Sequence, residues 1–213
     1  MKVLSATMFV ALIATAIGEA PRFGFSGATP TYPYNGWELQ VKEGKPEVSL
    51  GEDNGRQAVC MASDGSSYSV QRKVDVDVHD YPYVSWRWRV DRLPESGDFR
   101  REGKDDQAAQ LLIAFAGKKA ISYIWDTTAP AGETGEYHVP FVIDVQILVV
   151  ESGPAKSGEW LTVTRNVLDD YRRLFGKEPP AAEGLRFQIN TQHTGSSARS
   201  CLESVQFSKT PPG

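Results

Sequence analysis

The sequence predicts an all-β fold, two sheets packed as a sandwich with one short helix, and three observations carry that prediction. Short segments of alternating apolar and polar residues follow one another from Trp37 to Phe207. The stretches between them are turn chemistry: "EDNG" at 52–55 and "SDGSS" at 63–67 place Asn or Asp before Gly, the composition that supplies positive φ in tight hairpins. One stretch alone changes to helical spacing. The chain of 213 residues, 40% hydrophobic, suits a single domain with a sizeable core.

Taken in order, Met1 and Lys2 precede the apolar run "VLSATMFVALIATAIG", which ends at Glu19 and Ala20 before Pro21. A basic start, a short apolar stretch and a small residue at a cleavage position read as a secretory signal over residues 1–20. A retained anchor is the competing reading, although the run falls short of the ~20 residues that span a bilayer. No later segment could span a membrane. Residues 21–36, "PRFGFSGATPTYPYNG", show no period and are read as an irregular lead-in, and residues 37–208 as the sandwich.

The strand-like segments are "WELQVK", "PEVSL", "QAVCMAS", "YSVQRKVDVDV", "YVSWRWRV", "AQLLIAF", "AISYIWD", "FVIDVQILVVES", "EWLTVTRNV", "LRFQINTQ" and "CLESVQF". In "NVLDDYRRLFGKEPP", Val167, Leu168, Tyr171, Leu174 and Phe175 share one helical face; Gly176 fits a C-terminal cap, and Pro179 and Pro180 prevent continuation. The helix insert is therefore expected at about 165–176. Cys60 and Cys201 either pair or remain two buried thiols; a chain bound for an oxidising compartment favours one disulfide between them.

A net charge of −4, unchanged when residues 1–20 are removed, and no basic cluster longer than "FRREGK" argue against nucleic acid and anionic membrane surfaces as partners. Neither the cysteines nor the scattered His79, His138 and His193 have the spacing of a zinc site. For enzyme chemistry, no carboxylate pair is set apart by its surroundings, and "HTGSSARS" lacks a nucleophile elbow.

In "YPYVSWRWRV", period two places Val84, Trp86, Trp88 and Val90 on one face, read as core, and Arg87 and Arg89 on the other. Those arginines are either solvated or a point of ligand contact. In "SYIWD", Tyr123 and Trp125 are either core or a flat surface on which a sugar ring stacks, with Asp126 beside them. Asp106 stands at the start of the strand "QAAQLLIAF".

The order of "VDVDVHDYPYVSWRWRV", "GEWLTVTRNV" and "GLRFQINTQHTGSSARSCLESVQF" resembles the jelly-roll/galactose-binding-like β-sandwich. "SWRWRV", "KDDQAAQLLIAF", "SYIWD", "VVESG", "GEWLTVTRNVLDDYRRLFGKEPP" and "NTQHTGSSA" resemble, in that order, a family of secreted bacterial proteins designated domain of unknown function 3047. That resemblance implies a single sandwich behind a signal peptide and no established activity. Where the family pattern reads Asp-Thr-Asp-Asn-Thr-Gly, this chain has Asn190, Thr191, Gln192, His193, Thr194 and Gly195; Gln110 replaces an arginine and Cys201 an aromatic residue.

The resulting expectation is a periplasmic or extracellular, non-catalytic binding protein for a carbohydrate or envelope polymer, acting through one sheet face. Its candidate contacts are Arg87, Arg89, Asp106, Tyr123, Trp125, Asp126, Asn190 and His193. Glu203 occupies the position of a structural-calcium acid in related sandwiches, which makes calcium a candidate cofactor. The alternatives are an interaction subunit docked on a larger membrane or envelope complex, and a polysaccharide lyase or hydrolase.

Overall fold

A computed structural model of the protein describes residues 20–28, 34–53, 55–139 and 142–212, so all but the last residue of the expected signal segment lies outside the described residues. The alternating segments form two sheets packed face to face as a jelly-roll sandwich. One sheet has the order β11 (Trp160–Asn166), β6 (Tyr83–Arg92), β13 (Ser197–Ser208), β4 (Arg56–Asp64) and β3 (Glu47–Asp53), and β1 (Arg22–Gly24) pairs with β13 beyond the end of β4. The other runs β2 (Glu38–Glu43), β5 (Ser67–Val76), β12 (Ala182–Asn190), β7 (Ala109–Phe115), β8 (Lys119–Asp126), β10 (Ile143–Ser152) and β9 (Thr134–Val139). All pairings are antiparallel except β10 on β8, because β9 intervenes in the chain before β10 returns beside β8.

Period two decides the core. Val84, Trp86, Trp88 and Val90 of β6 point inward and are buried, and they meet the inward side chains of β8. Trp86 packs on Tyr123 with ring centroids 5.1 Å apart, Trp88 lies 6.2 Å from Trp125, and the two β6 indoles meet edge-on at 5.4 Å. Each such ring removes ~150–250 Å² from water, so this aromatic layer dominates the attachment of one sheet to the other. Tyr123 and Trp125 are fully buried in it, which corrects their reading as a stacking surface: period two separates two strand faces, and here the aromatic face is the inner one.

The helix α1 spans Val167–Phe175, shorter than expected because Arg165 and Asn166 stay in β11. Asn166 caps it by accepting the Asp169 N–H (3.1 Å), and Gly176 closes it in the left-handed conformation. Tyr171 packs edge-on against Phe115 at 4.7 Å. Asp170 is buried and receives Arg165 (2.6 Å), Arg173 (3.2 Å) and the Tyr123 hydroxyl (3.0 Å), an arrangement that ties the helix to both sheets. Burial, followed by the Asp170 charge, holds the Tyr123 phenol well above its usual range.

Cys60 and Cys201 are direct cross-strand partners on β4 and β13 and form a disulfide on the outer side of the six-stranded sheet. A Cβ on Gly51 of β3 would lie 3.1 Å from Cys60 Sγ, so the missing side chain there makes room for the bridge.

Two elements differ from the sequence expectation. The lead-in contributes β1, and Phe25 stacks on Trp37 (5.3 Å), both fully buried. The edge strand β9 is absent from the strands expected from sequence, because its alternation is limited to Tyr137 and Val139, and Glu136, Tyr137 and His138 lie exposed as at a free sheet edge. Among the described residues no helix is long and apolar enough to cross a membrane.

Candidate functional site

Arg87 and Arg89 point outward from the six-stranded sheet and are already engaged there. The guanidinium of Arg87 lies 4.7 Å from the Trp160 ring and donates to Glu203, while Arg89 lies 5.1 Å from the same ring and pairs with Asp91 (2.7 Å). Glu203 is buried and is approached also by Arg22 (3.5 Å) and Arg56 (3.6 Å). Its expected role as a calcium acid is therefore corrected: three guanidinium groups satisfy and surround the carboxylate, and they repel a second cation. Among the described residues no three His, Cys, Asp or Glu side chains gather as a metal site.

The remaining polar candidates lie with the seven-stranded sheet. Asp106 is fully buried and accepts the backbone N–H groups of His193 (3.3 Å) and Thr194 (2.6 Å) together with Asn190 Nδ2 (3.1 Å). Asn190 Oδ1 in turn accepts from the Gln107 backbone (3.1 Å) and Gln110 Nε2 (2.5 Å). This network fastens the segment after β12 to the segment before β7. Burial raises the neighbouring Asp105 carboxyl, opposed by a hydrogen bond from Gln107.

Asp126 is likewise buried and accepts backbone N–H groups from Phe99 (3.0 Å), Thr128 (2.9 Å) and Ala129 (2.8 Å). Burial raises its carboxyl and those donors pull it back down. Asp126 thus spends its oxygens on loop backbone, and Asp106 and Asn190 spend their polar atoms on backbone, on Gln110 and on each other, which corrects their reading as ligand contacts. The imidazole of His193 is exposed above Asp106. The eight candidates do not share a surface: Arg87 and Arg89 lie on one outer face, Asp106, Asn190 and His193 at one end of the other, Asp126 at the end of β8 beneath the Phe99 segment, and Tyr123 and Trp125 between the sheets.

The open part of the seven-stranded face carries a different set. Because Tyr68, Val70, Leu111, Ile113, Leu185 and Phe187 point inward, their neighbours in sequence point out. Cross-strand register then places Gln40, Ser69, Gln188 and Gln110 in one row, and Glu38, Gln71, Arg186 and Leu112 in the next. A third row holds Lys73, Gly184 and Ala114. The small residues there lower the floor; the row of Glu38, Gln71, Arg186 and Leu112 lines a cleft of about 920 Å³, and Gln40, Ser69 and Gln188 line an adjoining hollow of about 300 Å³.

The β8–β10 side of this face is covered. Phe99 reaches over Gly135 so closely that a Cβ there would collide with its ring, and Ile124, Ala129 and Val149 pack beneath. The cleft therefore opens over β2, β5, β12 and β7. Sequence reasoning missed Gln71, Lys73, Arg186 and Gln188. The signal was present in the polar face of "YSVQRK" and "LRFQIN", whereas attention to aromatic residues led into the core.

A family model described as a protein of unknown function (DUF3047) matches residues 33–206. No curated protein matches the chain. Among solved structures, the xyloglucanase domain of NopAA, a type three effector from Sinorhizobium fredii in complex with cellobiose, is 10% identical with a TM-score of 0.52 and covers 91% of this chain and 98% of its own. The cellulose induced protein Cip1 is 10% identical with a TM-score of 0.50, covering 91% and 99%. At that identity the likeness shows the jelly-roll sandwich fold.

Proposed function

The chain belongs to the DUF3047 family, and from that premise we propose that it is a non-catalytic binding protein that holds an extended carbohydrate or envelope polymer in the cleft of the seven-stranded sheet. The observation that carries this reading is the floor of the cleft and its adjoining hollow, where the amides of Gln40, Gln71 and Gln188 stand in two cross-strand rows. Each amide both donates and accepts, the pairing that sugar hydroxyls require. The likeness in fold to a xyloglucanase domain solved with cellobiose supports a carbohydrate over other polymers.

Binding is favoured over hydrolysis because a glycosidase needs two carboxyl groups ~5–9.5 Å apart across the scissile bond. Here the central rows hold amides, a guanidinium and a single carboxylate, Glu38, at the β2 edge, and both carboxylates lining the cleft, Glu38 and Glu183, are exposed. The disulfide and the signal-like first residues support a periplasmic or extracellular setting for this role.

Docking on an envelope complex is a second reading, favoured by one observation: Tyr137 and Val142, at the free β9 edge and the turn that follows it, are 55% and 59% exposed. Calorimetric titration with a panel of neutral and charged oligosaccharides decides between the two. The cleft reading expects saturable binding to one class and at least a tenfold loss in Leu112→Trp, whose indole fills the cleft without touching the core. Binding that survives Leu112→Trp unchanged rejects the cleft as the site. Silence across the panel transfers the function to the β9 edge.

A further inference from the structure

Arg186 is the one cationic side chain in the two central rows of the cleft; Glu38, in the same row, stands two strands away across Gln71 and does not reach it. The residue is half-buried, yet among the described residues no carboxylate lies within ion-pair distance of it, and its guanidinium donates only to Gln71 Oε1, at 3.2 Å. Burial pulls this guanidinium below the usual arginine range with no opposing partner to restore it. Elsewhere the protein matches such groups: Arg87 has Glu203, Arg89 has Asp91 and Arg165 has Asp170. A partly desolvated charge without a counter-charge is costly, and an anion arriving from solution removes that cost.

The surroundings add to the field. Arg72 and Lys73 line the same cleft and Lys42 the adjoining hollow, against the exposed Glu38 and Glu183. The floor is thus cationic in a chain whose net charge is −4.

We infer that the ligand is an anionic polysaccharide whose uronate carboxylates seat on Arg186, with Gln71 and Gln188 taking the adjacent hydroxyls. This rests on the cleft reading above and names its ligand class. The planar guanidinium fork, with four of its five N–H donors free of protein partners, matches a carboxylate in two-point geometry.

The test is calorimetric titration at fixed ionic strength with oligogalacturonate, oligomannuronate, their methyl esters, cellohexaose and a sulfated dextran oligosaccharide. The proteins are wild type, Arg186→Gln, Arg186→Lys and, as a control on the opposite face, Arg87→Gln, each first shown to melt cooperatively. One free-acid oligouronate is expected to bind at least tenfold more tightly than its ester. Arg186→Gln removes that preference and leaves ester affinity within about threefold, Arg186→Lys falls between, and Arg87→Gln keeps the preference.

Equal affinity for acid and ester, or a preference that survives Arg186→Gln, overturns the inference while leaving the cleft reading intact. Tighter binding of the sulfated oligosaccharide overturns the carboxylate assignment. Failure of every glycan, neutral ones included, overturns the cleft reading as well, so the two failures are distinguishable.

Discussion

The outer faces of the two sheets both display arginine, but they treat it in opposite ways. On the six-stranded sheet Arg87 and Arg89 flank Trp160, and each has its own carboxylate partner in Glu203 or Asp91. On the seven-stranded sheet Arg186 has an amide and no acid. The first face is complete in itself and its polar groups serve the fold. The second carries a guanidinium without a carboxylate partner above a hollow floor, the feature on which the binding proposal rests. The comparison teaches that the partner of a polar residue, more than its type, distinguishes a structural face from a binding face.

The predictions follow this contrast from the largest effect downward. Trp88→Ala removes an indole from the layer that both faces share, and should cost about 3–5 kcal/mol in denaturant unfolding. A loss below about 1 kcal/mol would mean that the aromatic layer does not join the sheets. Replacing both Cys60 and Cys201 by Ser opens a closure between residues 141 apart in sequence and should cost about 2–5 kcal/mol, read by the same unfolding. The glycan affinity of the opposite face should stay within about twofold.

Two single substitutions sharpen the contrast directly. Glu203→Gln leaves Arg87 against a weaker acceptor in a mostly buried setting and should destabilise by about 1–3 kcal/mol. Arg186→Gln removes a charge that nothing in the fold neutralises, and should leave the melting temperature unchanged or raise it while altering ligand affinity. If Arg186→Gln destabilises as much as Glu203→Gln, the two faces do not differ in the way described.

The smallest effect concerns pH. Asp98, in the segment that covers the β8–β10 side of the seven-stranded sheet, is held well below the usual carboxylate range, chiefly by its hydrogen bond from Arg100 and then by that from Thr128. A depressed folded value means that its contribution is full above the unfolded value of ~3.9 and is lost as pH falls through the lower folded one. Asp98→Asn should therefore cost about 1 kcal/mol or less at pH 7, because Arg100 is two-fifths exposed to screening solvent. The gap between variant and wild type should narrow at pH 2. A gap that widens in acid would reverse the assigned sign.

Much of the architecture was legible in the chain. Alternation in "YVSWRWRV" identified Trp86 and Trp88 as core, helical spacing with Gly176 located α1 to within two residues at its start, and two cysteines in strand-like segments suggested their bridge. The candidate site was less legible. Tyr123 and Trp125 alternate with Ser122 and Ile124, and all four are buried, because the inner side meets the opposite sheet and the outer side lies beneath the wall segments. No pattern within one strand reports that second cover.

By itself the sequence determined the all-β class, the strand faces and the helix, since the direction of a side chain follows from the two-residue repeat of its own backbone. Tertiary structure alone decided which face belonged to which sheet, and so that Arg87 and Arg186 look away from each other. It also decided which charges found partners: Glu203 comes to Arg87 from 116 residues away, and among the described residues no carboxylate pairs with Arg186. Pairing between distant residues is a property of the packed chain, and here that pairing separates the face that holds the fold from the face on which a ligand is proposed to bind.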